Sequence, residues 1–216
     1  ANERVRLGFI GLGNRGDLRT GGAQWMKAAS GVIHSEMPRQ TDGLMRGFQL
    51  WVNLPAAQKM TAPAYQEFSP EAIPEVRTAG ITVRVLAGEY AGTQGVVDDP
   101  NTGILYLDLR LHPGAGVEVP MAAGLAGFAY VYEGDASIAG KTLPSHGLGV
   151  LGEGASVSVA AGAAGARLIL VAGRPLAEPI VQYGPFVMNT REEIEQAFAD
   201  YRDGRLAHTR ATLAAH

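Results

Sequence analysis

Residues 103–112 carry a two-residue alternation, and this pattern constrains the fold more than any other feature of the chain. Leucine occupies every second position, whereas polar or aromatic residues fill the positions between. The leucines are Leu105, Leu107, Leu109 and Leu111, and the residues between them are Tyr106, Asp108 and Arg110. Because successive side chains of a strand point to opposite faces, the segment predicts a β-strand whose leucines face a core.

Glycine and proline interrupt the remaining sequence at short intervals. The 216 residues include 29 glycines and 12 prolines, which supply turns and end strand ladders. Alternating runs recur at 47–55 and 81–86, and the apolar run 167–172 is typical of a strand buried on both faces. Many short strands separated by turns predict a mainly β fold, either a sandwich or a barrel.

A single helix is predicted near the end of the sequence. Thr190 and Glu193 have the spacing of a capping box, and Gly204 is placed to end the helix. The predicted buried stripe consists of Ile194, Ala197, Phe198 and Tyr201. We expect this C-terminal helix to pack on a barrel.

Composition and charge exclude several classes of function. The 18 Lys and Arg are scattered and are outnumbered by 21 Asp and Glu, which argues against direct nucleic-acid binding. The absence of cysteine excludes disulfides, thiolate metal sites and cysteine nucleophiles. No run approaches the roughly 20 apolar residues that span a bilayer, and the first residues lack a signal-peptide pattern. We therefore predict a soluble, cytoplasmic protein without a membrane partner.

His34 and Glu36 are the candidate metal ligands. Their two-residue spacing places both side chains on one face if the segment is a strand, where they could bind one ion. Imidazole nitrogen with carboxylate oxygen suits a first-row transition metal better than calcium. On spacing alone, a surface strand pair is the commoner explanation of a His-x-Glu sequence.

The sequence around this pair resembles the pirin family. The runs that carry the resemblance are 12–38, 47–68 and 183–201. The resemblance implies two stacked cupin-type (jelly-roll) β-barrels and a metal, usually iron, held in the N-terminal barrel by three histidines and one glutamate. His34 and Glu36 match the last two of these four ligands.

The resemblance also implies an activity and an alternative to it. Several bacterial members are quercetin 2,3-dioxygenases, in which iron or another divalent first-row metal binds dioxygen or a flavonol substrate. Glu36 would then be a catalytic proton acceptor as well as a ligand. The alternative function is a non-catalytic regulatory module that acts by binding a partner protein, as eukaryotic relatives do.

The sequence departs from the family pattern at two places. The segment that would supply the first two histidine ligands has no counterpart before Leu12. We therefore expect an incomplete N-terminal barrel over residues 1–80, weak metal binding, low activity and self-association through open barrel edges. The second barrel, 81–216 with its closing helix, has apolar and small residues at 120–124, where a cupin ligand motif would lie, and is predicted to be structural.

A competing interpretation concerns the glycines near the start. Gly11, Gly13 and Gly16 follow the apolar run 5–10 and satisfy the G-x-G-x-x-G pattern of dinucleotide-binding folds. This opening resembles that of the Gfo/Idh/MocA oxidoreductases. The pattern also requires a following helix and an acidic residue about 20 positions later, whereas residues 17–22 contain a turn signal. Nicotinamide binding is therefore the less favoured hypothesis.

Overall fold

The computed structural model describes residues 5–7, 21–32, 47–206 and 212–213 of the chain. These residues form mainly antiparallel strands with one α-helix near the end, so the predicted mainly β fold with a C-terminal helix is confirmed. The chain divides into two compact units, Ala1–Ala72 with Leu176–His216 and Ile73–Pro175. The predicted domain boundary between residues 80 and 81 stays a prediction, because these units are defined by spatial contacts and one of them is discontinuous.

Seventeen strands and one helix are numbered here in chain order within the described residues. They are β1 (Val5–Leu7), β2 (Ala23–Lys27), β3 (Leu50–Val52), β4 (Ala64–Phe68), β5 (Glu75–Thr78), β6 (Ile81–Ala87), β7 (Glu89–Tyr90), β8 (Thr93–Gln94), β9 (Leu105–Leu111), β10 (Gly116–Pro120), β11 (Ala126–Ile138), β12 (Lys141–Leu143), β13 (Leu148–Val150), β14 (Ser156–Gly173), β15 (Val181–Tyr183), β16 (Phe186–Met188), α1 (Arg191–Arg202) and β17 (Thr212–Leu213). Short 3₁₀ turns lie at Ala56–Gln58 and Pro70–Ala72.

The first unit contains a five-stranded sheet in the order β17-β4-β2-β1-β3. Its ladders are antiparallel except for the parallel pairing of β17 with β4. Trp25 and Met26 are neighbours in β2, and both are buried. Because neighbouring residues face opposite sides of a strand, β2 is covered on both faces.

The first unit also contains the β15–β16 hairpin and α1. The helix begins at the predicted capping box, in which the Thr190 hydroxyl accepts from the Glu193 amide and the Glu193 carboxylate accepts from the Thr190 amide. Ile194 and Ala197 are buried against the hairpin. Tyr201 is 59% exposed, so its predicted place in the buried stripe is wrong. The stripe ends one turn earlier, because the short hairpin covers only the first part of the helix.

The second unit is built on an eight-stranded sheet. Its main order is β12-β11-β14-β9-β6-β5, and β10 and β13 pair with β14 and β11. Strands β11 and β14 are long enough to pair along most of their lengths, with register shifts at Val131/Glu133 and Gly134/Ala136. Such bulges bend a sheet. Strands β11 and β14 can therefore curve around one core, and each contributes residues to it from both sides of its bulges.

Aliphatic side chains fill the inner face of this sheet. The predicted strand at 103–112 is confirmed as β9, and its four leucines are at most 7% exposed. The core that they join contains Val83, Val85, Leu105, Leu107, Leu109, Leu111, Val119, Ala129, Val131, Ala136, Ile138, Val157, Val159, Ala161, Ala166, Leu168, Leu170 and Ala172. We call this set the inner core. The described helix is too short and too polar to cross a bilayer.

Candidate functional site

The predicted metal ligands lie outside the described residues. His34 and Glu36 fall within 33–46, which the structure does not describe, so their convergence on one ion stays a prediction. Their flanks are described: β2 ends at Lys27, and β3 begins at Leu50. These two strands lie on either side of β1. The predicted ligand segment therefore connects two strands of the same sheet.

The strand at Val5–Leu7 bears on the dinucleotide hypothesis. It pairs antiparallel with both of its neighbours, β2 and β3. A dinucleotide-binding fold needs this first strand in a parallel sheet, followed by a helix that receives the pyrophosphate. The antiparallel pairing therefore disagrees with that hypothesis, while Gly11, Gly13 and Gly16 themselves lie outside the described residues.

A buried lysine holds together two distant parts of the first unit. The Lys59 side chain is 2% exposed, and its ammonium group donates to the Asn53 side-chain oxygen at 2.6 Å and to the Val187 carbonyl at 3.1 Å. Burying a charge without such acceptors costs several kcal/mol. Nearby, Glu178 accepts from the Ala56 amide at 2.8 Å and from the Asn189 side chain at 3.0 Å. These bonds fix the loop after β3 against the β15–β16 segment.

The interior of the second unit has a different chemical character. Every side chain of the inner core is aliphatic. Residues 120–124, where the sequence lacks a cupin ligand motif, begin at the last residue of β10, whose Val119 is fully buried in that core. Across the described ranges, no group of three or more His, Cys, Asp or Glu side chains could hold a metal ion.

The outer face of the same sheet carries a polar cluster that the sequence did not single out as a site. The Tyr132 hydroxyl donates to Asp108 Oδ1 at 2.7 Å. Arg84 is the cross-strand neighbour of Asp108, and its Nε lies 3.4 Å from Glu75 Oε1. The signal that could have located part of this cluster is the alternation in 103–112, which places Asp108 on the non-leucine face.

Burial shifts the proton affinities of this outer cluster. Loss of solvent raises the pKa of Asp108, against the opposing effects of the Tyr132 hydrogen bond and of the positive charges of Arg84 and Arg167. Burial and the Asp108 carboxylate raise the pKa of Tyr132. The Tyr106 hydroxyl is fully buried without a hydrogen-bond partner, and burial raises its pKa. At neutral pH both tyrosines are therefore protonated and cannot act as bases.

The fold and the sequence matches define the class of this protein. The antiparallel architecture, with one unit closed around an aliphatic interior, is that of the cupins. Two family descriptions match the chain, Pirin over residues 11–52 and the Pirin C-terminal cupin domain over residues 106–207. The chain belongs to the pirin family.

Individual relatives agree with this assignment. A Pseudomonas aeruginosa protein named as a candidate quercetin 2,3-dioxygenase is 50% identical over 204 residues, covering 91% of this chain and 71% of its own. Human pirin is 42% identical over 204 residues, covering 92% of this chain and 70% of its own. Both alignments therefore extend across the two units.

Solved structures show the same fold. A quercetin 2,3-dioxygenase from Acinetobacter baumannii has a TM-score of 0.82 at 33% identity, covering 93% of this chain and 72% of its own. A bacterial pirin from Escherichia coli in complex with nickel(II) has a TM-score of 0.57 at 18% identity, covering 79% of this chain and 69% of its own. The second likeness concerns the fold alone.

Proposed function

We propose that this protein is a metal-dependent dioxygenase of the quercetin 2,3-dioxygenase type, with His34 and Glu36 among its metal ligands. The observation that carries the proposal is the family match over residues 11–52, which contains both residues. The 50% identity to a candidate quercetin 2,3-dioxygenase supports the reaction type. The proposed substrates are a flavonol-like small molecule and dioxygen.

The donor set fits the proposed metal. A neutral imidazole and a carboxylate suit iron or another divalent first-row metal, and cysteine, which would favour softer ions, is absent from the chain. When bound, such a metal would supply Lewis-acid polarisation of a substrate oxygen. His34 contributes a nitrogen lone pair, which protonation removes. Glu36 contributes a carboxylate that can also accept the proton of a flavonol hydroxyl.

The two units would then have separate tasks. The inner core of the second unit consists of packed aliphatic side chains, so its interior offers no donor atoms of its own to a metal. In the first unit, β2 is covered on both faces and Lys59 anchors the loop after β3. These features hold both ends of the predicted ligand segment, and a site works best on rigid supports.

Metal content and oxygen uptake test the proposal together. The purified protein, loaded with iron(II) under anaerobic conditions and then desalted, is expected to retain part of the iron and to consume oxygen slowly when quercetin is added, in line with the weak metal binding and low activity expected from the sequence. His34→Ala and Glu36→Gln should lower metal affinity by more than about 100-fold, since losing only a supporting hydrogen bond costs about 10–100-fold. His146→Asn is the matched control, because His146 is an exposed turn residue with a positive φ that asparagine tolerates.

Two results would count against this function. Protein that retains no metal after loading, or that retains metal and consumes no oxygen with quercetin, would leave the non-catalytic regulatory module as the better hypothesis. Equal losses in the His146→Asn control and in His34→Ala would show that the effect does not arise at the proposed ligands.

A further inference from the structure

A shallow cleft lies on the outer side of the second unit, where β9 ends beside the bulged part of β14. Its volume is about 330 Å³. The charged and titratable side chains that line it are Arg110, His112, Glu133 and Arg167, and small residues, Ala164, Gly165 and Ala166, form another wall. All of these residues belong to the second unit. The cleft therefore does not depend on the predicted metal ligands.

Two arginines lie side by side in this cleft. Arg110 on β9 is the direct cross-strand partner of Arg167 on β14. Their leucine neighbours, Leu109 and Leu168, are fully buried in the inner core, so both guanidinium side chains extend from the outer face. Like charges directly opposite each other destabilise a strand pair. A negatively charged group between or beside the two guanidinium groups offsets this repulsion.

The protein supplies only part of that opposite charge. Glu133 is the cross-strand partner of Arg167 on its other side, and their charged groups are 3.8 Å apart. On the far side of Arg110 the cross-strand partner is Thr82, which is neutral. The Arg110 side chain makes no hydrogen bond or ion pair within the described residues. One guanidinium group in a concave site is thus left without a counter-charge.

We propose that this cleft binds the oxyanion group, a carboxylate or a phosphate, of a small molecule, held between Arg110 and Arg167. Guanidinium groups present donors in a planar fork that matches both kinds of oxyanion. The cleft volume is at the lower end of the range for small-molecule sites, about 300–1,000 Å³, which suits a compact ligand. His112 lies at the rim and can donate a further hydrogen bond.

Glu133 provides a second residue at which the proposal can be tested. Its carboxylate already occupies one side of Arg167 and repels an incoming anion. Removing this charge should therefore strengthen anion binding, whereas removing the charge of Arg110 should weaken it. Both effects are expected to exceed that of a charge change far from the cleft only if the anion binds there.

The test is a titration of the full chain with inorganic phosphate and, separately, with malonate, at constant ionic strength balanced with sodium chloride. Binding is followed by the rise in unfolding temperature and by amide chemical shifts. Arg110→Gln should weaken binding about tenfold, as expected for one charge-assisted hydrogen bond. Arg110→Lys, which keeps the charge and loses the fork, should have a smaller effect. Arg202→Gln on α1 is the control with the same change of charge.

Saturable binding that is weakened by Arg110→Gln, strengthened by Glu133→Gln and unaltered by Arg202→Gln is the expected result. Tighter binding of malonate than of phosphate would identify a carboxylic acid as the ligand class, and the reverse order a phosphorylated one. Absence of saturation with both probes would overturn the proposal. So would equal responses of the Arg110→Gln and Arg202→Gln proteins, or shift changes confined to residues outside 110–113 and 164–167.

Discussion

The two faces of the sheet in the second unit differ sharply in what they contain. The inner face is aliphatic throughout, and its residues on β9 are almost fully buried. The outer face of the same strand carries Tyr106, Asp108 and Arg110, of which Asp108 accepts a hydrogen bond from Tyr132. One strand therefore contributes leucines to the inner core and, at alternate residues, polar side chains to the outer face, from the buried Tyr106 to the exposed Arg110.

This difference shows where the second unit can interact with ligands. The aliphatic side chains of the inner core carry no donor or acceptor atoms for a polar ligand. The outer face has charged side chains at defined positions, set by strand register. We expect substitutions on the inner face to affect stability alone, whereas those on the outer face can also change proton and ligand binding.

Leu109→Ala should have the largest effect on stability. Leu109 is fully buried in the inner core, and truncation of such a leucine costs about 2–5 kcal/mol through lost burial and the cavity left behind. Urea unfolding followed by circular dichroism would measure the loss. A change below about 1 kcal/mol would mean that the inner face is less tightly packed than described.

Tyr132→Phe should have an intermediate effect. The change removes the hydrogen bond of 2.7 Å to Asp108 and leaves the carboxylate with one donor fewer. A hydrogen bond to a charged group contributes about 1.5–3 kcal/mol, and the partial exposure of both residues reduces this to about 1–2 kcal/mol. Urea unfolding followed by circular dichroism would measure this loss of stability. Tyr130→Phe, on the same strand, is the control.

Asp108→Asn should have a smaller effect that depends on pH. Since the pKa of Asp108 is raised in the native state, that state holds the proton more tightly than the unfolded chain does. The unfolding free energy therefore falls as pH rises from the ordinary aspartate pKa, about 3.9, through the raised native value. Asparagine keeps a side-chain oxygen that accepts the Tyr132 hydrogen bond. Because asparagine does not titrate, the variant does not show this fall in unfolding free energy.

The measurement for Asp108→Asn is the difference in unfolding free energy between variant and parent at several pH values. The variant should become more stable relative to the parent as pH rises from about 4 through the raised native pKa of Asp108, because only the parent carries the titrating carboxyl group. A difference that does not change with pH would show that Asp108 titrates as it does in the unfolded chain.

Val150→Ala should have the smallest effect. Val150 lies on β13 and is 82% exposed, and exposed substitutions usually change stability by less than about 0.5 kcal/mol. A loss comparable to that of Leu109→Ala would indicate that this valine is covered in solution, for example by another molecule. Unfolding at two protein concentrations would then distinguish self-association from a local effect.

The alternation in 103–112 predicted both faces of β9 because leucine at every second position leaves one arrangement that buries all four. The capping box at Thr190 was equally predictable, since its two hydrogen bonds are local.

The full extent of β14 could not be predicted from the sequence. Only 167–172 was predicted, although the strand spans Ser156–Gly173. Its first half is rich in alanine and glycine, which have weak strand propensity, and is paired by the distant strands β10 and β11.

The two candidate sites also differ in whether a short stretch of sequence is enough to identify them. His34 and Glu36 were found because they are two residues apart within a family-like segment, and their geometry stays a prediction. The pairing of Arg110 with Arg167 could not be found in that way, because it depends on the register of two strands that are far apart in the sequence. Sequence patterns place a residue on a face, whereas only the fold identifies its neighbour across the sheet.

The discontinuity of the first unit has a consequence for the order of events during synthesis. Its residues before 73 leave the ribosome well before Glu178 and Val187, whose bonds to Ala56 and Lys59 help to close it. The second unit is continuous and can reach its native contacts while translation continues, as domains commonly do. The part of the chain that is made first is therefore among the last to be completed.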